Sequence, residues 1–316
     1  MKVLVTGGFG NLGTLVATQL LGAGHVVTCL DLRTPGNERA ARDFEGRVTV
    51  RWGDIRDLAT VEETVVGQDA VIHLAAIIFP FSEADPERAR QVNVVGTENV
   101  LRAVERSAAQ PLLVFSSSFA VLGHRQKDPP PRTLADEVVA TDHYSAHKIA
   151  CERMITASEA NWIILRLAGM VDSRMRHSHP EQMRLAFALA AANRIEYLHP
   201  NDAAVAFVHA LGTPEAQRKV HLIGGGPGCQ VTHLELMNVV LGTFGLTFAA
   251  DEFGSQELYA DWADTRESQR LLSYQSRSVE DFRRECSERF RWVRPFVRPL
   301  APVVKWILKR YLARTG

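Results

Sequence analysis

Short apolar runs rich in β-branched residues alternate with helix-length amphipathic stretches over the first half of the chain. Val3-Leu4-Val5 predicts a first strand, and Leu12 to Leu21 the helix after it. Val26-Val27-Thr28-Cys29-Leu30 predicts a second strand. Val48-Thr49-Val50 predicts a third, followed by a helix beginning near Leu58. Ala70-Val71-Ile72-His73-Leu74, Leu112-Leu113-Val114-Phe115 and Ile163-Ile164-Leu165 predict strands four to six. A long helical stretch, about Pro86 to Ala109, lies between the fourth and the fifth. Near-continuous apolar strands, as opposed to alternating ones, belong to a sheet covered by helices on both faces. Right-handed crossovers then wind such units into an α/β fold with a doubly wound parallel sheet.

After Arg166 the pattern loosens. Met170 to Pro180 is polar and carries His177 and His179, and Glu181 to Ala192 resumes as an amphipathic helix. Val220-His221-Leu222-Ile223 reads as a strand ending in the turn Gly224-Gly225-Gly226. Thr232 to Leu241 reads as a helix with Thr232 as N-cap and Glu235 completing a capping box. The division expected is a sheet domain over residues 1–166, a smaller lobe with returning sheet elements over 167–288, and a basic amphipathic tail over 289–316.

With 316 residues, 46% hydrophobic and 23% charged, the chain is long and apolar enough for one large domain carrying a smaller lobe. Lys and Arg number 36 against 36 Asp and Glu, so no global field recruits nucleic acid or an anionic surface. The cysteines Cys29, Cys151, Cys229 and Cys286 lie too far apart for a metal motif or a disulfide framework and read as buried free thiols; no metal is expected. Met1 and Lys2 lead directly into the first strand without the pattern of a secretory signal, and no apolar run approaches the roughly 18–20 residues of a membrane span. A cytoplasmic location is therefore expected.

The tail qualifies that picture. Arg291, Arg294, Arg298, Lys305, Lys309, Arg310 and Arg314 interleave with Trp292, Phe296, Leu300, Val303, Trp306, Ile307 and Tyr311. Prolines at 295, 299 and 302 prevent one continuous helix, but Val303 to Ala313 suits a short basic amphipathic one. Two readings follow: peripheral contact with a membrane interface, or packing of the apolar face on the body of the protein or on a second subunit.

Thr6-Gly7-Gly8-Phe9-Gly10-Asn11-Leu12-Gly13 follows the first strand and opens the first helix. Gly7 permits the tight turn, Gly10 lets the backbone approach a pyrophosphate, and Gly13 lets helix and strand pack closely. The N–H groups around Asn11 and Leu12 face the phosphates. A glycine triplet alone is weak evidence; here it stands in the required strand–turn–helix context. Asp31 closes the second strand, where a carboxylate accepts both ribose hydroxyls of NAD and repels the 2′-phosphate of NADP. Arg33, two residues on, partly relieves that repulsion. Asp54 and Ile55 fall where the adenine lies, and Leu74, Ala75 and Ala76 end the fourth strand with side chains small enough to let the cofactor cross the sheet edge. His73 by itself reads as a structural histidine before it reads as a catalyst.

Taken in order, the glycine turn, Asp31, Gly53-Asp54, His73-Leu74-Ala75-Ala76, Asn93-Val94-Val95-Gly96-Thr97, Ser116-Ser117-Ser118 and Tyr144-x-x-x-Lys148 resemble the extended short-chain dehydrogenase/reductases. This is the NAD-dependent epimerase/dehydratase family, which includes 3β-hydroxysteroid dehydrogenase-like reductases. The resemblance runs strongly through residues 1–170. It continues more faintly to about residue 285 through His199-Pro200-Asn201-Asp202-Ala203-Ala204 and the Gly224-Gly225-Gly226 turn. It implies a Rossmann sheet with a C-terminal substrate lobe, NAD as cofactor, a small-molecule substrate, a homodimer, and Ser118, Tyr144 and Lys148 as the catalytic set. It also selects Ser118 over Ser116 and Ser117, and gives Asn93 a supporting role toward the lysine through water.

The chemistry asks for these residue types. Hydride transfer at a carbinol carbon requires a proton to move at its oxygen, so a group of tunable pKa must touch that oxygen. Tyr144 supplies a phenol whose ordinary pKa of about 10 is too high unaided. Lys148, one helical turn later on the same face, supplies a charge that favours the phenolate and a donor for the nicotinamide ribose. Ser118 would hydrogen-bond the substrate oxygen. Two departures weaken a nucleotide-sugar assignment without touching this set. His147 stands before the lysine where many relatives have serine, and Arg166-Leu167-Ala168-Gly169-Met170-Val171-Asp172 replaces the usual tyrosine-glycine-proline ending. Three readings remain: a reductase or dehydrogenase for an apolar or sugar-like alcohol, an epimerase or dehydratase that recycles its NAD, and a catalytically silent NAD sensor, which would ordinarily have lost the tyrosine or the lysine.

Overall fold

A computed structural model describes residues 1–171 and 180–314. Its strands are β1 (Lys2–Thr6), β2 (Val26–Asp31), β3 (Thr49–Trp52), β4 (Ala70–His73), β5 (Leu112–Ser118), β6 (Trp162–Leu167), β7 (Arg194–Glu196), β8 (Val220–Ile223) and β9 (Gln230–Thr232). Seven of them form one parallel sheet in the order β3-β2-β1-β4-β5-β6-β8, while β7 and β9 pair antiparallel. The main sheet is a doubly wound Rossmann sheet. Strand order reverses between β1 and β4, which opens a crevice at their carboxyl ends.

The apolar strands are buried on both faces, as their composition requires. On one side the helices Asn11–Gly22 and Pro200–Leu211 pack against each other and the sheet through Val16, Ala17, Leu20, Ala203, Ala206 and Phe207. On the other lie the helices Leu58–Val65, Gly96–Arg106 and His143–Thr156, which bury Val61, Val65, Val100, Val104, Cys151 and Ile155. A buried ion pair joins that layer to the sheet. Glu152 holds Arg166 of β6 at 2.7 Å and accepts the Ser117 hydroxyl at 2.5 Å. All four cysteines are buried thiols outside any disulfide.

Some elements differ from the sequence reading. The third strand sits at Thr49–Trp52 because it pairs in register with Thr28–Asp31 of β2. A helix at Pro35–Arg42 buries none of its residues, so no apolar stripe announced it. The stretch read as helical over 86–109 is helical without interruption from Pro86 to Arg106, but it widens to a π turn at Gln91–Val95 between Pro86–Arg90 and Gly96–Arg106. Gly96 marks the change, since a Cβ there would lie 2.5 Å from Ile55 Cδ1. The helix read at 181–192 spans Pro180–Ala188, and Leu189 and Ala190 bridge to Gln256 and Gly254. His177, His179 and Asp172 lie outside the described residues.

Helix His233–Gly242, opened by the Thr232–Glu235 capping box, and helix Val279–Arg289 packed on it build a C-terminal lobe with a core of its own that takes in Ile195 and Tyr197, while Leu272 and Tyr274 return to the sheet. Helix Ala301–Arg314 then lies on Leu241, Leu246 and Phe248 through Ala301 and Leu308. Among the described residues no helix is long and apolar enough to cross a membrane.

Candidate active site

The glycine turn shapes one wall of the crevice. Gly7 has a positive φ of 69°, and a Cβ there would stand 3.0 Å from the Ala75 backbone. Gly13 is tighter still, since its Cβ would fall 2.1 Å from the Gly7 carbonyl oxygen. No side chain caps helix Asn11–Gly22, whose N-cap is Gly10 in extended conformation, so its first turn at Asn11 and Leu12 presents backbone to the crevice. The sequence reading missed how the turn is tied to Asp31. Asp31 Oδ2 accepts the Phe9 N–H at 2.9 Å, and Oδ1 accepts the Leu32 N–H at 2.8 Å and Asn37 Nδ2 at 3.0 Å. Burial raises the Asp31 pKa above the ordinary carboxylate range, and the two backbone N–H bonds oppose that rise. Each carboxylate oxygen keeps lone-pair capacity for a ribose hydroxyl. Arg33 is turned to Glu38 at 2.8 Å, and Arg56 holds Asp54 and keeps its carboxyl below the ordinary range.

These residues fit NAD. An uncapped helix start meets a glycine cradle that any Cβ would fill, with a carboxylate at the end of β2 and the short side chains of Ala75 and Ala76 across the edge. Asp31→Ala is expected to narrow a preference for NADH over NADPH, because a 2′-phosphate would no longer face a carboxylate. Fluorescence titration of both cofactors checks this, and equal affinities in the unmodified protein would count against the assignment.

Beneath the crevice His73 is held at both ring nitrogens, by Thr6 Oγ1 at 2.6 Å and Thr97 Oγ1 at 2.9 Å. Burial first, and the Lys148 charge second, push its pKa down to about 3, so it stays neutral and structural. Asn93, inside the π turn, clamps the loop after β4. Its Oδ1 accepts the Ile77 N–H at 2.7 Å, and its Nδ2 donates to the Ile77 carbonyl at 2.8 Å and lies 3.4 Å from His147 Nδ1. Ile55 is buried against Gly96, and Asn99 holds its carbonyl at 3.0 Å.

The serine run splits by strand alternation. Ser117 faces the buried Glu152, the Ser116 carbonyl accepts the Lys148 ammonium at 2.6 Å, and the Ser118 hydroxyl accepts the Ala120 N–H at 3.1 Å on the side of the Tyr144 phenol. Tyr144 begins the helix His143–Thr156, whose start is fixed twice. Asp142 and Ser145 form a capping box, and Glu83 accepts the His143 and Tyr144 N–H groups at 3.2 Å each. The ammonium of Lys148 lies 4.7 Å from the Phe115 ring centre and 5.7 Å from that of Tyr144. Burial pushes Tyr144 up to about 12, opposed by the nearby Ser118 hydroxyl, and pulls Lys148 down to about 8. Both shifts have one cause, which is that the dry pocket disfavours either charge.

Tyr259 was not singled out in the sequence, where it stands outside any motif. It reaches over from the C-terminal lobe into electrostatic range of Asp142 and Tyr144, and its ring meets Phe79 edge-on at 6.1 Å and His124 at 6.5 Å. These three rings come from separate segments, so only the folded chain brings them together.

The fold and this crevice define an NAD-dependent enzyme of the Rossmann type, a dehydrogenase/reductase or an epimerase. Residues 3–224 match the NAD dependent epimerase/dehydratase family, and the chain belongs to it. A D-erythronate dehydrogenase of Haemophilus influenzae is 28% identical over 267 residues, covering 75% of this chain and 81% of its own length. A 3 beta-hydroxysteroid dehydrogenase/Delta 5→4-isomerase of Mycobacterium tuberculosis is 35% identical over 161 residues, which are 49% of this chain and 42% of that protein. The solved structure of a UDP-glucose 4-epimerase from Bifidobacterium longum, in complex with NAD+ and UDP, superposes with a TM-score of 0.76 at 20% identity, covering 92% of this chain and 98% of that one. That likeness speaks for the fold. NAD is the cofactor of this chain.

Proposed function

We propose that the enzyme transfers a hydride reversibly at a secondary alcohol or ketone of a small apolar or sugar-like substrate, with Tyr144 as acid and base. One observation carries the reading: Lys148, fixed by the Ser116 carbonyl at 2.6 Å, holds its ammonium 5.7 Å from the Tyr144 ring centre at the end of β5, where the Ser118 side chain favours the phenolate. Bound NAD supplies the hydride acceptor, and its positive ring is a charge that favours the phenolate. Ser118 Oγ holds the substrate oxygen. In reduction Tyr144 Oη gives its proton to that oxygen as negative charge develops; in oxidation it takes the proton back. Lys148 stabilises the phenolate and is fixed by the Ser116 carbonyl. Phe79, His124 and Tyr259 offer a ring-lined wall on the substrate side, which suits the apolar face of a carbon skeleton.

The dehydrogenase names of the erythronate and hydroxysteroid relatives support net oxidation or reduction. The alternative, transient oxidation of a nucleotide sugar with return of the hydride, draws on the Bifidobacterium epimerase, and the missing tyrosine-glycine-proline ending argues against it. A silent NAD sensor has no need of the complete Ser118, Tyr144 and Lys148 set. The test is a panel of sugar acids, sterols and nucleotide sugars followed at the nicotinamide absorbance and by product chromatography. Net cofactor turnover matched to product supports the proposal. An isomerised product with unchanged cofactor would establish the epimerase reading instead.

A further inference from the structure

The C-terminal segment divides into a seated side and an open side. Along helix Ala301–Arg314 the positions 301, 305 and 308 face the lobe. Ala301 is buried, Leu308 packs beside Phe248, and Lys305 Nζ donates to the Thr247 carbonyl at 2.6 Å and to Glu252 at 3.0 Å. Those contacts fix the helix's rotation. The positions between them, Val303, Trp306 and Ile307, therefore point outward, at the i, i+3, i+4 spacing of one helical stripe. The turns before the helix add Trp292, Phe296 and Leu300. Trp292 is 75% exposed, Phe296 78% and Trp306 56%, a concentration of large rings that solvent-facing surface rarely carries.

Charge is distributed to match. Residues 289–316 hold eight basic side chains and no acidic one, which leaves 28 basic against 36 acidic over residues 1–288. Among the described residues Lys305 is the one tail cation in an ion pair. The Arg291 and Arg310 guanidinium groups lie 5.2 Å and 4.7 Å from the rings of Trp292 and Trp306, so charge and ring sit together at the outer surface. We propose that this face docks on a bilayer bearing anionic headgroups, with Trp292, Phe296 and Trp306 entering the interface and Arg291, Arg294 and Arg298 meeting the phosphates. Aromatic rings settle at headgroup depth, and basic side chains near an anionic surface add binding energy that salt screens. The acidic remainder of the chain is repelled by the same surface, so the enzyme stands on its tail with the body held away. This inference is independent of which substrate the site takes.

The opposed charges of tail and body also suit a head-to-tail contact between copies, and the test separates the two. The full chain is sedimented with vesicles of equal parts phosphatidylcholine and phosphatidylglycerol, and with phosphatidylcholine alone. Binding is expected to the anionic vesicles at low salt, with release at high salt. The triple variant Arg291→Glu, Arg294→Glu, Arg298→Glu should lose at least about 100-fold in affinity. Trp292→Ser, Phe296→Ser, Trp306→Ser should lose about 10-fold or more. Both variants should keep the parent's thermal midpoint within a few degrees, because the altered side chains are solvent-facing apart from Arg294, which is half-buried and in no ion pair among the described residues. No binding at low salt, or binding that neither variant weakens, overturns the proposal. So does light scattering that shows the parent assembling with concentration and the arginine variant monomeric, which would give the face to a second copy.

Discussion

Replacing Tyr144 by phenylalanine is expected to lower turnover by about 10²–10⁴-fold, the usual contribution of a positioned general acid or base. NADH affinity should change little, because the phenol oxygen is the only atom lost and the helix start is held by Asp142, Ser145 and Glu83. The pH dependence has a definite sign. Burial pushes the Tyr144 pKa up to about 12, so the phenol is protonated at neutral pH, the form that ketone reduction uses. Alcohol oxidation uses the phenolate and should speed up as pH rises, and that rise should vanish in the phenylalanine variant. Lys148→Met should impair turnover and cofactor affinity together. Steady-state rates in both directions, beside an NADH fluorescence titration, decide the matter. Near-normal turnover of the phenylalanine variant on the true substrate would remove Tyr144 from the chemistry.

Gly13→Ala should have the largest effect on the cofactor crevice. The added Cβ would stand 2.1 Å from the Gly7 carbonyl oxygen and 2.8 Å from Gly8 backbone atoms, none of which can swing aside as a side chain would. Helix and turn must separate. Overpacking of this kind costs about 1–3 kcal/mol, which corresponds to a melting temperature lower by roughly 2–4 °C in a chain of this size. NADH affinity should fall by about 100-fold or more, equivalent to about 2.7 kcal/mol. Gly10→Ala is the control. Its Cβ would lie 3.3 Å from the same oxygen, so the fold should survive while the backbone's approach to the pyrophosphate is lost. Calorimetry and titration of both variants check the pair, and wild-type NADH affinity in Gly13→Ala would refute the assigned turn.

The parallel sheet was legible because a strand covered on both faces must be apolar at every position, as in Ala70–His73 and Leu112–Phe115. The glycine turn was legible because its physical demands fall on consecutive residues. Helix Pro35–Arg42 was not, since it touches the core only through the small, partly buried Ala40 and Ala41, although Thr34 followed by Pro35 is a helix-start signal that could have located it. The π widening at Gln91–Val95 hides in a stretch whose apolar residues keep a helical look. What sequence order could not supply were contacts between distant segments. Glu83 reaches residues 143 and 144, Asp31 reaches Phe9, and Tyr259 reaches the neighbourhood of Tyr144. The serine run is instructive in between. Alternation along β5 separates Ser117 from its neighbours, but only the placement of Glu152 shows which side is dry.

The pairing of helix Pro200–Leu211 with helix Asn11–Gly22 bears on how the chain is made. Val16 and Leu20 near the N-terminus find their cover in Ala203 and Phe207, and β6 finds its outer neighbour only in β8. During synthesis the first six strands are out of the ribosome while one sheet face still lacks half of its lid. Some fifty residues must follow, which takes roughly 3–10 s at ordinary elongation rates. Over that interval an apolar surface built by the N-terminal third stays open to water, and holding chaperones have their opportunity there.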